Sequence, residues 1–168
     1  MPIAGHRIWT SPLMKKPSFR VTLWFNMNKY KNGQRDWYNQ ITERLYLGAI
    51  PLKSAGTSGH QGRLDSIPGK MTSDLGVTGV VSINEPFERV VTFTKEEWAA
   101  RGVELKTIDC GDFNFVPSRV ELLDAADFIK AKMDQGGAVY VHCKAGRTRS
   151  ATVVATYLIV HCGHTGLF

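Results

Sequence analysis

The stretch AVYVHCKAGRTRSATVVATYLIV, residues 138–160, contains the strand, loop and helix on which the fold prediction rests. An apolar strand is expected from Ala138 to Val141, and an apolar, β-branched helix from Arg149 to Val160. A loop that passes directly from a strand into a helix presents successive backbone N–H groups and the positive end of the helix dipole to one point. The stretch therefore predicts an anion site that suits a phosphate dianion.

The segments before this stretch alternate between strand and helix patterns. Strands are predicted at 44–49, 79–83 and 103–108, and helices at 94–100 and from residue 119 onwards. Thr94 with Glu97 and Ser118 with Glu121 form capping boxes at the starts of the two helices. The second helix is expected to bury one apolar face formed by Val120, Leu123, Ala126, Ile129 and Met133. Such alternation predicts an α/β fold with a mostly parallel central sheet flanked by helices, and ligands at the carboxyl ends of its strands.

Charge is distributed unevenly along the chain. Residues 1–35 carry seven of the 21 Lys and Arg side chains and none of the 15 acidic ones, so the remainder is close to neutral. The high pI therefore does not indicate a nucleic-acid-binding face. We expect a basic tail at 1–36, a catalytic domain at 37–160 and a short divergent end at 161–168. The tail fits either an organelle transit segment or a disordered tail. Residues 53–70 are rich in Gly, Ser and Thr and predict a flexible loop.

Three cysteines, Cys110, Cys143 and Cys162, show no paired spacing, which argues against a disulfide framework and for a reducing compartment. No Cys and His spacing resembles a zinc site, so neither a metal nor another cofactor is expected.

The chemistry of the loop follows from Cys143 and Arg149. A thiol beside a helix N-terminus and nearby cations has a lowered pKa, so Cys143 is the predicted nucleophile that attacks phosphorus. The planar guanidinium of Arg149 is expected to clamp two phosphate oxygens. Ser150 is expected to donate a hydrogen bond to the sulfur, and His142 to orient the loop. The residues expected to contact the substrate phosphate are those between nucleophile and clamp: Lys144, Ala145, Gly146, Arg147 and Thr148.

A general acid has to protonate the leaving oxygen, and two candidates follow the preceding strand, Asp109 and Asp112. From position alone either residue could serve. The two additional cations of the loop, Lys144 and Arg147, exceed what a single phosphate requires. They indicate either a substrate with more than one negative group or simply a pair of solvated charges.

The run HCKAGRTRS at 142–150 resembles the mitochondrial phosphatidylglycerophosphate phosphatases, a branch of the dual-specificity phosphatases. The segments ITERLYLGAIP (41–51) and NEPFE (84–88) are similar to the first strand and the acidic substrate loop of that family. Asp112 stands five residues before Pro117 and 31 before Cys143, where the resemblance places the general acid. The resemblance extends from about residue 37 to residue 160.

The resemblance implies hydrolysis of phosphatidylglycerophosphate to phosphatidylglycerol, a step towards cardiolipin, through a phosphocysteine intermediate. It also implies an anionic phospholipid substrate, peripheral membrane contact, and a location at the matrix side of the mitochondrial inner membrane. By position it assigns Cys143 as nucleophile, Arg149 as clamp and Asp112 as acid. Glu85 and Glu88 become acids of the substrate loop.

The resemblance further implies helices beyond Val160 that pack on the sheet. We therefore expect a C-terminally truncated form with a bare apolar sheet face. Two alternatives remain open at this stage. One is a protein or phosphoinositide phosphatase with the same chemistry, and the other is an inactive truncated isoform that only binds phosphate.

Overall fold

The computed structural model describes residues 12–53, 67–112 and 115–165, which divide into two compact units between Trp37 and Tyr38. The first unit contains helix α1, Pro12–Lys31, with Pro17 inside its second turn. Lys29 and Lys31 lie in its last turn, where cations interact favourably with the helix dipole. Among the described residues, no helix is long and apolar enough to span a membrane.

The second unit is a five-stranded sheet with helices between its strands. Its elements in chain order are β1 (Tyr38–Thr42), β2 (Leu45–Gly48), α2 (Ile67–Ser73), β3 (Val77–Ile83), a 3₁₀ turn (Arg89–Val91), α3 (Lys95–Ala99), β4 (Glu104–Ile108), α4 (Arg119–Asp134), β5 (Ala138–His142) and α5 (Thr148–Cys162). The strand order is β1-β2-β5-β3-β4, with only the β1–β2 pair antiparallel. The predicted α/β fold with a mostly parallel sheet is therefore confirmed.

Strand β1 was not predicted from the sequence. Its residues, YNQIT, show no apolar alternation, and the middle three are exposed. The strand lies at the edge of the sheet and pairs with β2 alone, with Tyr38 opposite Gly48 and a register shift between Gln40 and Thr42. Its pairing depends on the hairpin that joins it to β2 and not on a buried face, so it has no periodic sequence signal.

Both predicted capping boxes are present. The Thr94 and Ser118 side chains accept hydrogen bonds from the backbone N–H groups of Glu97 and Glu121, whose carboxylates bond back to the cap residues. The prediction for the face of α4 was partly wrong, because Val120 is 76% exposed. The buried residues of α4 are Ala125, Ala126 and Ile129.

The expected bare sheet face is absent from the described part of the sheet. Every residue of β5 is buried, and in β3 only Thr78 is partly exposed, so the central strands are covered on both faces. Among the described residues near the C-terminus, the large exposed apolar side chains are Ile159 and Val160, in the last turns of α5. Gly163 ends that helix in the left-handed conformation. Of the predicted loop at 53–70, residues 54–66 lie outside the described residues, and α2 begins at Ile67.

Candidate active site

The loop between β5 and α5 surrounds the sulfur of Cys143. Strand β5 ends at His142, α5 begins at Thr148, and Cys143 lies between them with only 3% of its surface exposed. The Ser150 hydroxyl donates a hydrogen bond to the Cys143 sulfur over 3.2 Å. The sulfur therefore lies at the N-terminus of a 15-residue helix, where the helix dipole favours negative charge.

Gly146 makes the tight course of this loop possible. Its φ of +67° lies in the left-handed region, which L residues with a Cβ rarely adopt. A Cβ atom at this position would also fall within 2.8 Å of three backbone atoms of Gly48 and Ala49. The loop is thus packed directly against the end of β2. The Lys144 carbonyl accepts a hydrogen bond from the Ile50 N–H at 3.4 Å and joins the same two segments.

The surroundings of Cys143 favour its thiolate. Burial by itself would raise the pKa of the thiol, but the Arg149 charge and hydrogen bonds from Ser150 and the Arg147 backbone outweigh burial. The net effect lowers the pKa of Cys143 below its ordinary value of 9.0. For Cys110, by contrast, burial dominates and raises the pKa of the thiol. Of these two buried cysteines, Cys143 is the one prepared for nucleophilic attack.

We expect alkylation of Cys143 by iodoacetamide to rise with pH with a midpoint below pH 9.0, because a lowered pKa allows the thiolate to form at lower pH. Replacing Ser150 with alanine removes one hydrogen bond to the thiolate and should move the midpoint upwards by about 0.5 to 1 pH unit. Mass spectrometry of the modified peptide measures the rate, with the exposed Cys162 of the same chain alkylated in parallel. An unchanged midpoint in the alanine variant would show that Ser150 does not stabilise the thiolate.

Arg149 is buried and held by a carboxylate. Its Nη1 and Nη2 donate to the two oxygens of Glu88 at 2.7 and 3.2 Å, and Nη1 also donates to the Cys110 carbonyl at 2.9 Å. Arg149 and Glu88 are 3% and 1% exposed. Burial opposes the charged form of Arg149, but the Glu88 carboxylate outweighs it and raises the pKa of the guanidinium. The fork geometry fixes the plane of the guanidinium next to Cys143.

This placement changes the interpretation of the NEPFE segment. Glu88 was expected as an acid of a substrate loop, but its carboxylate is buried against Arg149 and faces the protein. Glu85 is only partly buried and donates its backbone N–H to Glu88 over 2.9 Å. The structure therefore places Glu88 behind the clamp and leaves Glu85 as the more accessible acid of the segment.

The sequence analysis missed two polar residues that support Glu88. The buried amide of Asn84 donates to Glu88 at 3.0 Å, and the Ser82 hydroxyl donates to Asn84 at 3.3 Å. Ser82 lies near the end of β3 and Asn84 directly follows that strand, which lies next to β5 in the sheet. Asn84, a polar residue directly after a buried strand, could have been recognised as a candidate site residue from the sequence. The reason is that the carboxyl ends of neighbouring parallel strands meet at one edge of the sheet.

The two candidate acids occupy different environments. Asp112 is 27% exposed, its Oδ1 lies 3.3 Å from Nη2 of Arg149, and its Oδ2 accepts a hydrogen bond from the Lys144 ammonium. The Asp109 side chain is 63% exposed and pairs with Arg89 at 2.7 Å. Asp112 therefore lies beside the clamp, whereas Asp109 bonds to a residue of the 3₁₀ turn. The geometry favours Asp112.

The remaining predicted residues divide by exposure. Lys144 is 5% exposed and bonds to Asp112, while Arg147 and Thr148 are exposed and Ala145 is partly exposed. His142 is fully buried with neither ring nitrogen hydrogen-bonded, and its ring packs on Tyr140 with centroids 5.8 Å apart. Burial, assisted by the charges of Arg149 and Arg89, lowers the pKa of His142 to about 3. The imidazole is neutral at neutral pH and forms part of the packing behind the loop.

Over residues 12–53, 67–112 and 115–165, no group of three His, Cys, Asp or Glu side chains is placed to hold a metal ion. The arrangement around Cys143 instead provides a thiolate, a helix N-terminus, a buried guanidinium and a carboxyl group. Together these groups can form and break a bond between sulfur and phosphorus, which is the chemistry of the cysteine-dependent phosphatases.

The comparisons with known proteins define the family. The model of the dual specificity phosphatase catalytic domain matches residues 66–165, so the chain belongs to the dual-specificity phosphatases and is a cysteine-dependent phosphatase by class. The crystal structure of PTPMT1 in complex with PI(5)P superimposes on this chain with a TM-score of 0.65 at 37% sequence identity. The match covers 76% of this chain and 75% of that one. This likeness confirms the fold.

Two curated relatives are named as phosphatases of phosphatidylglycerophosphate. The rat phosphatidylglycerophosphatase and protein-tyrosine phosphatase 1 is 35% identical over 90% of this chain and 74% of its own length. The phosphatidylglycerophosphate phosphatase PTPMT2 of Arabidopsis thaliana is 38% identical over 85% of this chain and 57% of its own length. The chain thus spans between 57 and 74% of these relatives.

Proposed function

We propose that this chain hydrolyses the phosphomonoester of phosphatidylglycerophosphate and releases phosphatidylglycerol and inorganic phosphate. The observation that carries the proposal is the Cys143 thiol, hydrogen-bonded to Ser150 at a helix N-terminus and adjacent to Arg149. The names of the rat and Arabidopsis relatives support the lipid substrate. A solved relative that holds a phosphoinositide supports an anionic phospholipid more generally.

In the first half of the reaction the Cys143 thiolate attacks phosphorus as the bond to the glycerol oxygen breaks. Asp112 gives its proton to that oxygen, and phosphatidylglycerol leaves. The backbone N–H groups of the loop and Arg149 stabilise the charge on the three equatorial oxygens. In the second half Asp112 takes a proton from water, which attacks the phosphocysteine. The sulfur leaves as a thiolate that accepts the Ser150 hydrogen bond.

Contact with a membrane surface is part of the proposal, because the substrate lies in a bilayer. Four exposed apolar side chains support it: Val90, Phe115, Val116 and Val120. They flank the segments that carry Glu88 and Asp112, and the Phe115 ring packs on Gly111, next to Asp112. Exposed apolar side chains near the proposed catalytic residues along the chain suit a partner with an apolar interior. By resemblance the membrane would be the mitochondrial inner membrane on its matrix side, with the reaction a step towards cardiolipin.

Protein phosphatase activity is the second candidate, because the name of the rat relative also includes protein-tyrosine phosphatase. The same thiolate and clamp would serve a phosphotyrosine ester. What separates the two candidates is the group that carries the phosphate.

The test is phosphate release by the purified chain from phosphatidylglycerophosphate in vesicles and from a phosphotyrosine peptide, with Cys143→Ser as the blank. We expect a kcat/KM for the lipid at least about tenfold above that for the peptide, equivalent to about 1.4 kcal/mol of transition-state binding. Faster turnover of the peptide would replace the lipid assignment by the protein one. Turnover of neither by a cooperatively folded chain, with phosphate still bound, would identify an inactive phosphate-binding form.

A further inference from the structure

Lys144 does not present its charge to the opening of the site. The residue is 5% exposed, and its ammonium donates a hydrogen bond to Oδ2 of Asp112. From the sequence this lysine was expected to bind a second negative group of the substrate. In the structure its charge is already opposed by a carboxylate of the chain itself.

The two oxygens of Asp112 have different partners. Oδ2 is held by Lys144, whereas Oδ1 lies 3.3 Å from Nη2 of Arg149, a long and weak contact. The other bonds of the Arg149 guanidinium go to Glu88 and to the Cys110 carbonyl. A phosphate that binds Arg149 at Nη2 would therefore displace Oδ1 and not Oδ2. The displaced Oδ1 would then lie next to the phosphate and its leaving oxygen.

We propose that Lys144 is a positioning residue that holds Asp112 by Oδ2, so that Oδ1 faces the leaving oxygen of the bound phosphate ester. The inference rests on the part of the proposed function that makes Asp112 the general acid. It does not depend on which alkyl phosphate is the natural substrate.

In the proposed mechanism, every proton transfer takes place at Oδ1 of Asp112. As the S–P bond forms and the P–O bond breaks, the proton of Oδ1 passes to the leaving alkoxide. As water attacks the phosphocysteine, Oδ1 takes one proton from that water and the S–P bond breaks. Lys144 keeps its own protons throughout. Its contribution is the orientation of the carboxyl group, since a carboxyl group misplaced by about 1 Å can slow a reaction about 100-fold.

This assignment predicts an effect that depends on the leaving group. An alkoxide such as that of glycerol or serine needs a proton to leave, whereas p-nitrophenolate is a stabilised anion and leaves without one. A residue that orients the acid matters for the first kind of substrate and little for the second. A residue that binds the phosphate itself matters equally for both.

The test compares Lys144→Met with the unmodified chain on phosphatidylglycerophosphate and on p-nitrophenyl phosphate. We expect kcat for the lipid to fall by about 10- to 100-fold, within the contribution of a general acid, with KM changed less than about threefold. For p-nitrophenyl phosphate, kcat should fall by less than about threefold. Lys144→Gln, whose amide still donates to Oδ2, should recover part of the lipid rate.

Two further variants serve as controls for Lys144→Met. Asp112→Asn should show the same leaving-group pattern, and adding Lys144→Met to it should cost no more than about twofold further, because the two residues act as a unit. Lys130→Met removes a lysine that bonds to Asp134 in an exposed part of α4 and should change neither rate. Equal losses on both substrates, a rise in KM alone or no loss at all would each overturn the inference.

Failure of the proposed function gives a different result. If the chain hydrolyses a phosphoserine peptide but not the lipid, the lipid assignment fails while the comparison can be made with phosphoserine as the alkyl ester. Loss confined to that ester would still support the role of Lys144.

Discussion

Cys143→Ser is expected to lower the rate of p-nitrophenyl phosphate hydrolysis by at least about 10⁴-fold. The thiolate forms the covalent bond to phosphorus, and a serine hydroxyl is far less acidic than this thiol and stays protonated at neutral pH. The surroundings that lower the pKa of Cys143, chiefly Arg149 and Ser150, are insufficient to ionise an alcohol. Steady-state phosphate release measures the effect.

The loss should be chemical and not structural. The loop N–H groups and Arg149 remain in the serine variant, so inorganic phosphate should still raise its unfolding temperature. Cys162→Ser provides the matched control, because Cys162 is exposed at the end of α5. The activity of this variant should stay within about twofold of that of the unmodified chain. Residual activity within 100-fold of the unmodified chain would mean that another group is the nucleophile.

Glu88→Gln is expected to produce the largest loss of stability among isosteric changes in the site. It removes the charge that opposes the buried guanidinium of Arg149, and breaking such a buried pair from one side costs about 3 to 5 kcal/mol. For a chain of this size that corresponds to a fall in unfolding temperature of about 6 to 20 °C. Calorimetry gives the change directly. We also expect kcat to fall by about 10-fold or more, because the clamp loses its orientation.

Glu85→Gln is the matched control, being the same change three residues earlier in a less buried position. It should lower the free energy of unfolding by less than about 1 kcal/mol. In a double-mutant cycle, Arg149→Met alone leaves the buried Glu88 carboxylate unpaired, whereas the Glu88→Gln background has no such carboxylate. Arg149→Met should therefore cost less stability in that background than in the unmodified chain. Additive losses, or equal effects of the two glutamine variants, would contradict a coupled buried pair.

Local patterns were sufficient for the elements that form the site. The apolar run of β5, the central Gly146 and the apolar helix after Arg149 predicted a strand, a loop and a helix in the observed order. The capping boxes at Thr94 and Ser118 predicted the starts of α3 and α4. These features depend on contacts within a few residues, so the sequence carries them directly.

Other features depend on which strands become neighbours. The pairing of β5 with β3 brings Glu88 and its partner Asn84 to Arg149, which stands 61 residues after Glu88 in the chain. Position along the chain alone therefore did not predict that Glu88 pairs with Arg149 or that Lys144 pairs with Asp112. Strand β1 was not predicted because an edge strand with three exposed residues shows no alternation of apolar and polar residues.

The sequence by itself determined the class of fold, and it predicted the nucleophile, the clamp and the pair of candidate acids, because these depend on residue type and short spacing. Only the tertiary structure decided how the charges are paired: Glu88 with Arg149, Lys144 with Asp112, and Asp109 with Arg89. A buried charge requires an opposite charge wherever the fold brings one within about 4 Å, and the sequence does not show that distance.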